Sequence, residues 1–497
     1  MRRGIRWIAS ALAGAMFLCC GSVPVRANEE VKYVEVSDTK EDGTEKTAEE
    51  MKEEILAASM ALPIETNTLK NWPKGPEIFG EAGIVMDMEN GAILYGKSID
   101  KKYYPASITK IMTALVALEN SKMDDIVTFS RESLDCQHGG YAHIAMREGE
   151  QITMRDALHA LMLASANEVA YAIGETVGGT HENFVKMMND RAKELGCMNT
   201  NFMNTNGMFD EKHYVSARDM ALISKAAFSK SELLEIVQTL EYTIPPTNVQ
   251  GEARTFQQKH KMLLQGKYYD SRCTGGKTGY TEKSYNTLVT TFEDSGRSIV
   301  VVILASRNDT FENTKLLADY AFQNFEKLSI AEHEKSKKLT EIPETASVTV
   351  PKDLDFKKLN YETKENGELQ YLYEGNPVGL TVAKLAENPK VEAEEQEEKE
   401  KTDAKESGFS TKQKIIFGVG IAVVVLTIVG IIIGVIMARR KKERMRRRRE
   451  MMRRRRRMEE RRKAEEHRRR RDSSEDREVR RERRIRQKDR TPEDDWY

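Results

Sequence analysis

The period of hydrophobic and polar positions changes several times along this chain, and each change marks a new element. Residues 82–99, "AGIVMDMENGAILYGKSI", hold two apolar-rich runs around Asn90-Gly91. Such a pair favours a tight turn with positive φ at both central positions, so a β-hairpin is predicted. Between Pro105 and about Val237 the period becomes helical, with Ile108, Ile111, Met112, Leu115 and Leu118 on one face. Thr153 stands three residues before Asp156 at the head of "TMRDALHALMLA", a spacing that predicts a capped helix start. Strand patterning returns in "TLVTTFEDSGRSIVVVILAS", with a turn from Asp294 to Arg297, and "FENTKLLADYAFQNFEKL" then reads as a closing helix. Strands first, helices in the middle, then strands and a last helix predict an α+β chain. It is built as an α/β sandwich whose two ends share one antiparallel sheet.

The flanks read differently. Residues 28–74 are acidic and polar, with one short helical pattern in "AEEMKEEILAASMAL", and read as a leader, order beginning near Phe79. The ordered catalytic region is taken as 75–328. From 329 to 390 the text turns to short alternating strands ("ASVTVP", "ELQYLYEG", "VGLTVAKL"), which predict a small all-β domain. Residues 391–414 are a charged linker too poor in apolar side chains to fold alone. The 24 residues of 415–438 carry no charge, enough for one transmembrane helix. Arg439, Arg440, Lys441 and Lys442 follow at once, and cationic flanks stay on the cytoplasmic side. The preceding region is therefore expected outside the cell, and 439–497 inside. Residues 1–27 fit a cleaved export signal: Arg2, Arg3 and Arg6, an apolar run from Trp7 to Cys20, then Val25-Arg26-Ala27.

Charge sharpens this division. The formal net charge is zero, yet residues 439–497 hold 29 Lys+Arg against 15 Asp+Glu, so the rest carries the opposite excess. The basic tail fits contact with anionic lipid better than plain solvation, and nucleic acid is not expected as a partner. Outside the export signal three cysteines remain, Cys136, Cys197 and Cys273. Three in an exported chain imply no disulfide framework, and at least one unpaired thiol within the monomer.

Candidate chemistry begins at "YPASITKIMTALVALEN", residues 104–120, where Ser107 and Lys110 head an apolar helical pattern. Positions three apart lie on one helix face, so the amine reaches the hydroxyl. To accept its proton the lysine must be neutral, which requires desolvation or a neighbouring cation. A Ser-x-x-Lys pattern alone is weak, since Ser98 and Lys101 also match, but no apolar helix follows them. Lys277 in "GGKTGYT", set among small residues just before a strand, can supply the second cation. Ser165-Ala166-Asn167 interrupts the helical pattern of "LASANEVAYAI", as side chains that compete for backbone hydrogen bonds do.

These three motifs in this order resemble the penicillin-binding serine D-alanyl-D-alanine carboxypeptidases. The resemblance runs from about Phe79 to Lys390 and includes the Asn/Gly-rich "FVKMMNDRAKELGCMNTNFMNTNGMFDEKHYVSARDMALI". It implies a β-lactamase/transpeptidase-like sandwich that cleaves the terminal D-alanine from peptidoglycan stem peptides through an acyl-enzyme, and that penicillins acylate. By the same resemblance Ser107 is the nucleophile, Lys110 its general base and Ser165 a proton relay, with Asn167 orienting lysine and substrate. Lys277, Thr278 and Gly279 line the cleft, and the N–H groups of Ser107 and Tyr280 form an oxyanion hole. No metal or other cofactor is implied. Many members place an arginine just before the phenylalanine of the closing helix, to hold the substrate carboxylate. Here Thr310 stands there, and Arg307 is the substitute. Three alternatives stay open: a β-lactamase, a DD-endopeptidase, or a non-catalytic wall-associated scaffold. A glutamate suited to β-lactam deacylation is not evident.

Overall fold

The computed structural model describes residues 30–385, apart from 41, 43, 138, 139, 335–338, 365 and 366. The expected export signal, linker, transmembrane helix and basic tail lie outside the described residues. Among the described residues no helix is long and apolar enough to cross a membrane.

The central sheet has five strands, β1 (Gly80–Asp87), β2 (Ile93–Lys97), β3 (Cys273–Thr281), β4 (Tyr285–Asp294) and β5 (Arg297–Ser306). Their order is β2-β1-β5-β4-β3, and every pairing is antiparallel. The early hairpin and the late strands thus share one sheet, as the order of patterns predicts. The unbroken apolar run of β5 is explained by burial on both faces. Val300, Val302 and Leu304 join the core on the helical side, while Ile299, Val301 and Ile303 join the core on the other. Such two-sided burial removes the polar alternation of a half-exposed strand.

The first hairpin turn differs from expectation in an informative way, while the turn predicted from Asp294 to Arg297 forms where expected. At Asn90-Gly91 only Gly91 takes positive φ (74°), because the loop is longer and its N–H bonds back to the Asp87 carbonyl at 3.0 Å. A tight two-residue turn with positive φ at both central positions joins β4 and β5, where Ser295 and Gly296 have φ of 51° and 76°. Asn90 acts through its side chain: Nδ2 donates to Thr349 Oγ1 at 2.9 Å and Ser347 Oγ at 3.2 Å, tying the hairpin to the trailing strands.

On the helical side, α2 (Lys110–Asn120), α3 (Asn167–Gly178), α4 (His181–Glu194) and α5 (Ala217–Phe228) enclose the first core; α1 (Ala48–Met60) belongs to the leader. Helix α2 is buried on every side from Lys110 to Ala117. It is a central strut, so any charge on it is costly. The Thr153–Asp156 capping box forms as predicted, and the short helix it starts passes into a π-helical turn, Ala160–Ala164.

On the opposite side α6 (Thr310–Asn324) covers the sheet and leads into β6 (Phe325–Ser329), which pairs with β7 (Ser347–Pro351). Beyond them β8 (Asn360–Thr363), β9 (Leu369–Tyr373) and β10 (Asn376–Thr381) form a three-stranded antiparallel sheet. Val348, Tyr371 and Val378 of these trailing strands share one hydrophobic core with Val85, Val301 and Leu317.

The leader is where the sequence reading fails most. Order begins well before Phe79: Thr47 and Glu50 form a capping box on α1, and Ile64 and Trp72 are buried in the second core. Trp72 donates its indole N–H to the Leu94 carbonyl at 3.0 Å, and its ring lies against Phe325 and Tyr373. A few scattered apolar side chains anchor this acidic segment, too few to stand out as a pattern.

Candidate active site

Ser107 sits on a single 3₁₀ turn, Ala106–Thr109, immediately before α2. The preceding Ala106 is left-handed, with φ of 51°, a conformation costly for a residue with a Cβ and kept only by its surroundings. Two glycines make room for it. A Cβ at Gly207 would stand 1.8 Å from the Ala106 carbonyl oxygen, and one at Gly279 would stand 2.9 Å from Ser107 N. Thr287 Oγ1 on β4 also donates to the Pro105 carbonyl at 2.8 Å, fastening the turn to the sheet.

Lys110 is wholly buried, and its Nζ lies 3.1 Å from Ser107 Oγ, 2.8 Å from Asn167 Oδ1 and 2.7 Å from the Asn206 carbonyl. A neutral amine has two N–H donors and one lone pair. With both donors given to the two carbonyl oxygens, the lone pair is left for the serine hydroxyl. Burial, foremost, and then the nearby charge of Lys277 hold this amine well below the ordinary lysine range. The need for an uncharged lysine is therefore met by the two means expected of it.

Ser165 follows the π-helical turn in the left-handed region, with φ of 62° and ψ of 31°. That break points its residue into the cleft, and α3 restarts at Asn167, whose N–H bonds to the Ala142 carbonyl at 2.9 Å. Lys277 lies within edge strand β3: "GGKTGYT" belongs to the strand itself and does not merely precede one. The residue is 2 % exposed, and its amine donates to the Thr278 carbonyl at 2.9 Å. Burial and the charge of Lys259 bring its pKa down to about 7. Gly275 and Gly276 have φ of 136° and 151°, and a Cβ on Gly276 would stand 2.0 Å from the Val289 carbonyl oxygen.

Ser107, Ser165, Thr278, Gly279 and Tyr280 line a common cleft of about 200 Å³ together with Thr310 and Phe311, while Lys277 is buried behind that lining. Lys110 and Asn167 stand directly behind Ser107, as the hydrogen bonds above place them. The weaker Ser98–Lys101 match and one candidate, Arg307, fall elsewhere. Ser98 lies in the turn after β2, and Lys101 is exposed at 4.0 Å from Glu81. Arg307 is absent from the cleft lining. Its guanidinium bonds to Glu81 Oε1 at 2.5 Å, stacks 3.9 Å from the Tyr285 ring centroid, and faces a separate groove of about 920 Å³ beside Tyr33 and Tyr104. A guanidinium already neutralised by a buried carboxylate is not free for a substrate carboxylate, which corrects that assignment.

Sequence reasoning missed Asn206 and Gly207, which hold the lysine and admit the serine turn. Their signal was the density of Asn and Gly in "NTNFMNTNGM". It also missed His213, whose Nε2 lies 2.9 Å from Thr109 Oγ1 and whose Nδ1 accepts from Met203 N at 3.3 Å. Cys136, Cys197 and Cys273 are free thiols and buried.

A family model described as D-alanyl-D-alanine carboxypeptidase matches residues 69–308. The chain is 30% identical over 364 residues to the D-alanyl-D-alanine carboxypeptidase DacF of Bacillus subtilis, covering 68% of this chain and 89% of that one. It is 30% identical over 264 residues to DacA of Haemophilus influenzae, a D-alanyl-D-alanine carboxypeptidase, covering 50% of this chain and 64% of that one. Among solved structures, the Streptomyces K15 DD-transpeptidase aligns with 50% of this chain and 99% of its own, at 28% identity and a TM-score of 0.47.

Proposed function

Because the chain belongs to the D-alanyl-D-alanine carboxypeptidase family, we propose that its cleft removes the terminal D-alanine of peptidoglycan stem peptides through an ester on Ser107. The observation that carries this reading is the buried Lys110 amine, 3.1 Å from Ser107 Oγ with both donors occupied.

Ser107 Oγ attacks the carbonyl carbon of the penultimate residue while its proton passes to Lys110 Nζ. Negative charge builds on the carbonyl oxygen, for which the N–H groups of Ser107 and Tyr280 are the proposed donors. The C–N bond breaks, and the leaving D-alanine nitrogen takes a proton from Lys110 by way of the Ser165 hydroxyl. Water then attacks the ester, its proton returning to Lys110, and the acid product leaves with Ser107 restored. Lys277 and Thr278 are assigned to the substrate carboxylate, the peptide lying along edge strand β3. Penicillins, which present a strained amide in place of that dipeptide, acylate the same oxygen.

The flanking assignments are proposals of the same kind. An export signal at 1–27, a single span at 415–438 and a basic tail from 439 fit an enzyme held at the outer face of the cell membrane, its tail attracted to anionic lipid. The strands from 329 to 390 are proposed as a small all-β extension of the catalytic region.

Peptide mapping by mass spectrometry after labelling with a penicillin tests the assignment. An adduct on Ser107 is expected, absent in Ser107→Ala. An adduct on Ser98, or none while the protein is folded, contradicts it.

A further inference from the structure

Ser165 is held in a conformation that a residue with a Cβ avoids, directly after a π-helical turn whose last carbonyl, that of Ala164, stands where the helical ladder is broken. That carbonyl is met from outside the helix. Lys259 Nζ donates to Ala164 O at 2.6 Å, across 95 residues of sequence. The amine does not arrive by chance of a loose surface side chain. Its backbone is fixed by the buried Gln258, whose Oε1 accepts the N–H of Lys259 at 2.9 Å and of His260 at 3.1 Å, while its Nε2 donates to the Val237 carbonyl at 2.8 Å. His260 in turn bonds through Nε2 to Thr290 Oγ1 at 2.9 Å, and Thr290 is the register partner of Gly276, next to Lys277. The three-residue segment Gln258 to His260 thus joins the Ser165 turn to β4, the strand paired with the one that carries Lys277.

We propose that Lys259 is a positioning residue for this reaction: its ammonium fixes the Ala164 carbonyl, and so the left-handed turn that presents Ser165. This rests on the carboxypeptidase reading of the cleft and adds to it a third lysine outside the three motifs. A cation at the C-terminal end of a helical segment also meets the negative end of the helix dipole, so one side chain serves both purposes. The charges around the cleft lysines are few. Lys110 is faced by Lys277, Glu168, Cys136 and Lys259, and Lys277 by Lys259; His260 lies close enough for Lys277 to disfavour its own protonation. Partial burial of the amine draws Lys259 below the ordinary lysine range. The residue as a whole is nonetheless exposed, unlike the two cleft lysines, so of the three it is the one that water helps to keep charged.

The test uses the full chain in detergent, with Lys259→Met, Lys259→Gln and Lys259→Arg beside Ser107→Ala. The second-order rate of acylation by a fluorescent penicillin is followed from about pH 5.5 to about pH 9. Loss of a charge-assisted hydrogen bond in Lys259→Met should slow acylation roughly tenfold. Lys259→Gln, which can still donate to the carbonyl, should recover much of the rate, and Lys259→Arg nearly all. In both uncharged variants the pH limb should move upward, because a neighbouring cation is gone; in Lys259→Arg it should stay. A Lys259→Met rate within twofold of the parent overturns the proposal. So does a slowed rate with an unmoved pH limb that neither Gln nor Arg restores, which marks a merely structural side chain. If the parent chain itself gives no Ser107 adduct, the carboxypeptidase reading fails instead. A crystal structure of Lys259→Met then still judges the turn, since a Ser165 that keeps its left-handed conformation there refutes the positioning role.

Discussion

At the scale of single residues the chemistry depends on amines kept from charging. Lys277, with a pKa near 7, should lose its charge through neutral pH in the free enzyme, while burial, foremost, and the Lys277 charge hold Lys110 well below the ordinary lysine range. A cationic Lys277 favours a carboxylate substrate and a neutral one does not. For a substrate ending in a free carboxylate, kcat/KM is therefore expected to fall above about pH 7, because that ratio reports groups of the free enzyme. For the matching C-terminal amide the fall should vanish. Parallel pH–rate profiles of the two substrates check this, and identical basic limbs would argue against Lys277 as the carboxylate site. Gly279 makes a different demand. Its added Cβ would lie 2.4 Å from Thr287 Oγ1 and 2.9 Å from Ser107 N, so Gly279→Ala must push the serine turn away from the strand. A displacement of this kind is expected to slow acylation by about a hundredfold with little change in thermal stability, measured by penicillin labelling and calorimetry.

At the scale of elements, the leader joins the fold rather than tethering it. Trp72 bridges the β1–β2 hairpin and the trailing strands through one hydrogen bond and two ring contacts. Truncating a buried tryptophan costs about 3 to 5 kcal/mol. Trp72→Ala is accordingly expected to lower the unfolding free energy by about that amount in urea titration, with the acylation rate of the folded fraction retained. A change well under about 1 kcal/mol would mean that the leader is dispensable.

At the scale of the whole molecule, buried histidines set a limit at acid pH. Burial brings His213 down to about 3, and burial together with the Lys277 charge brings His260 down to about 4, from an ordinary value of 6.5. The unfolded chain takes up these protons below about pH 6.5, while the folded chain does not until well below about pH 5. The unfolded state thus binds more protons in that interval, and stability falls as pH falls. Each site contributes on the order of 3 kcal/mol across the window. Melting temperature measured from about pH 7 to about pH 4 should decline, and less steeply in His260→Gln if that variant folds. A flat profile in the parent chain would refute the assignment.

How much of this was legible in the chain depends on distance along it. The serine and its lysine, the capped helix at Thr153, the break at Ser165 and the β4–β5 hairpin are set by neighbours within a few residues, where period, capping and turn chemistry act directly. The order of the motifs and the strand-helix-strand succession were enough to identify the family and the shared antiparallel sheet. Three-dimensional packing alone decided the rest. It brought Asn206 to Lys110 across 96 residues and Lys259 to Ala164 across 95. It committed Arg307 to Glu81 and buried Trp72 under an acidic leader. Those contacts join positions that share no local pattern, and a side chain's partner, burial and charge state follow from what the fold places around it, not from its neighbours in sequence.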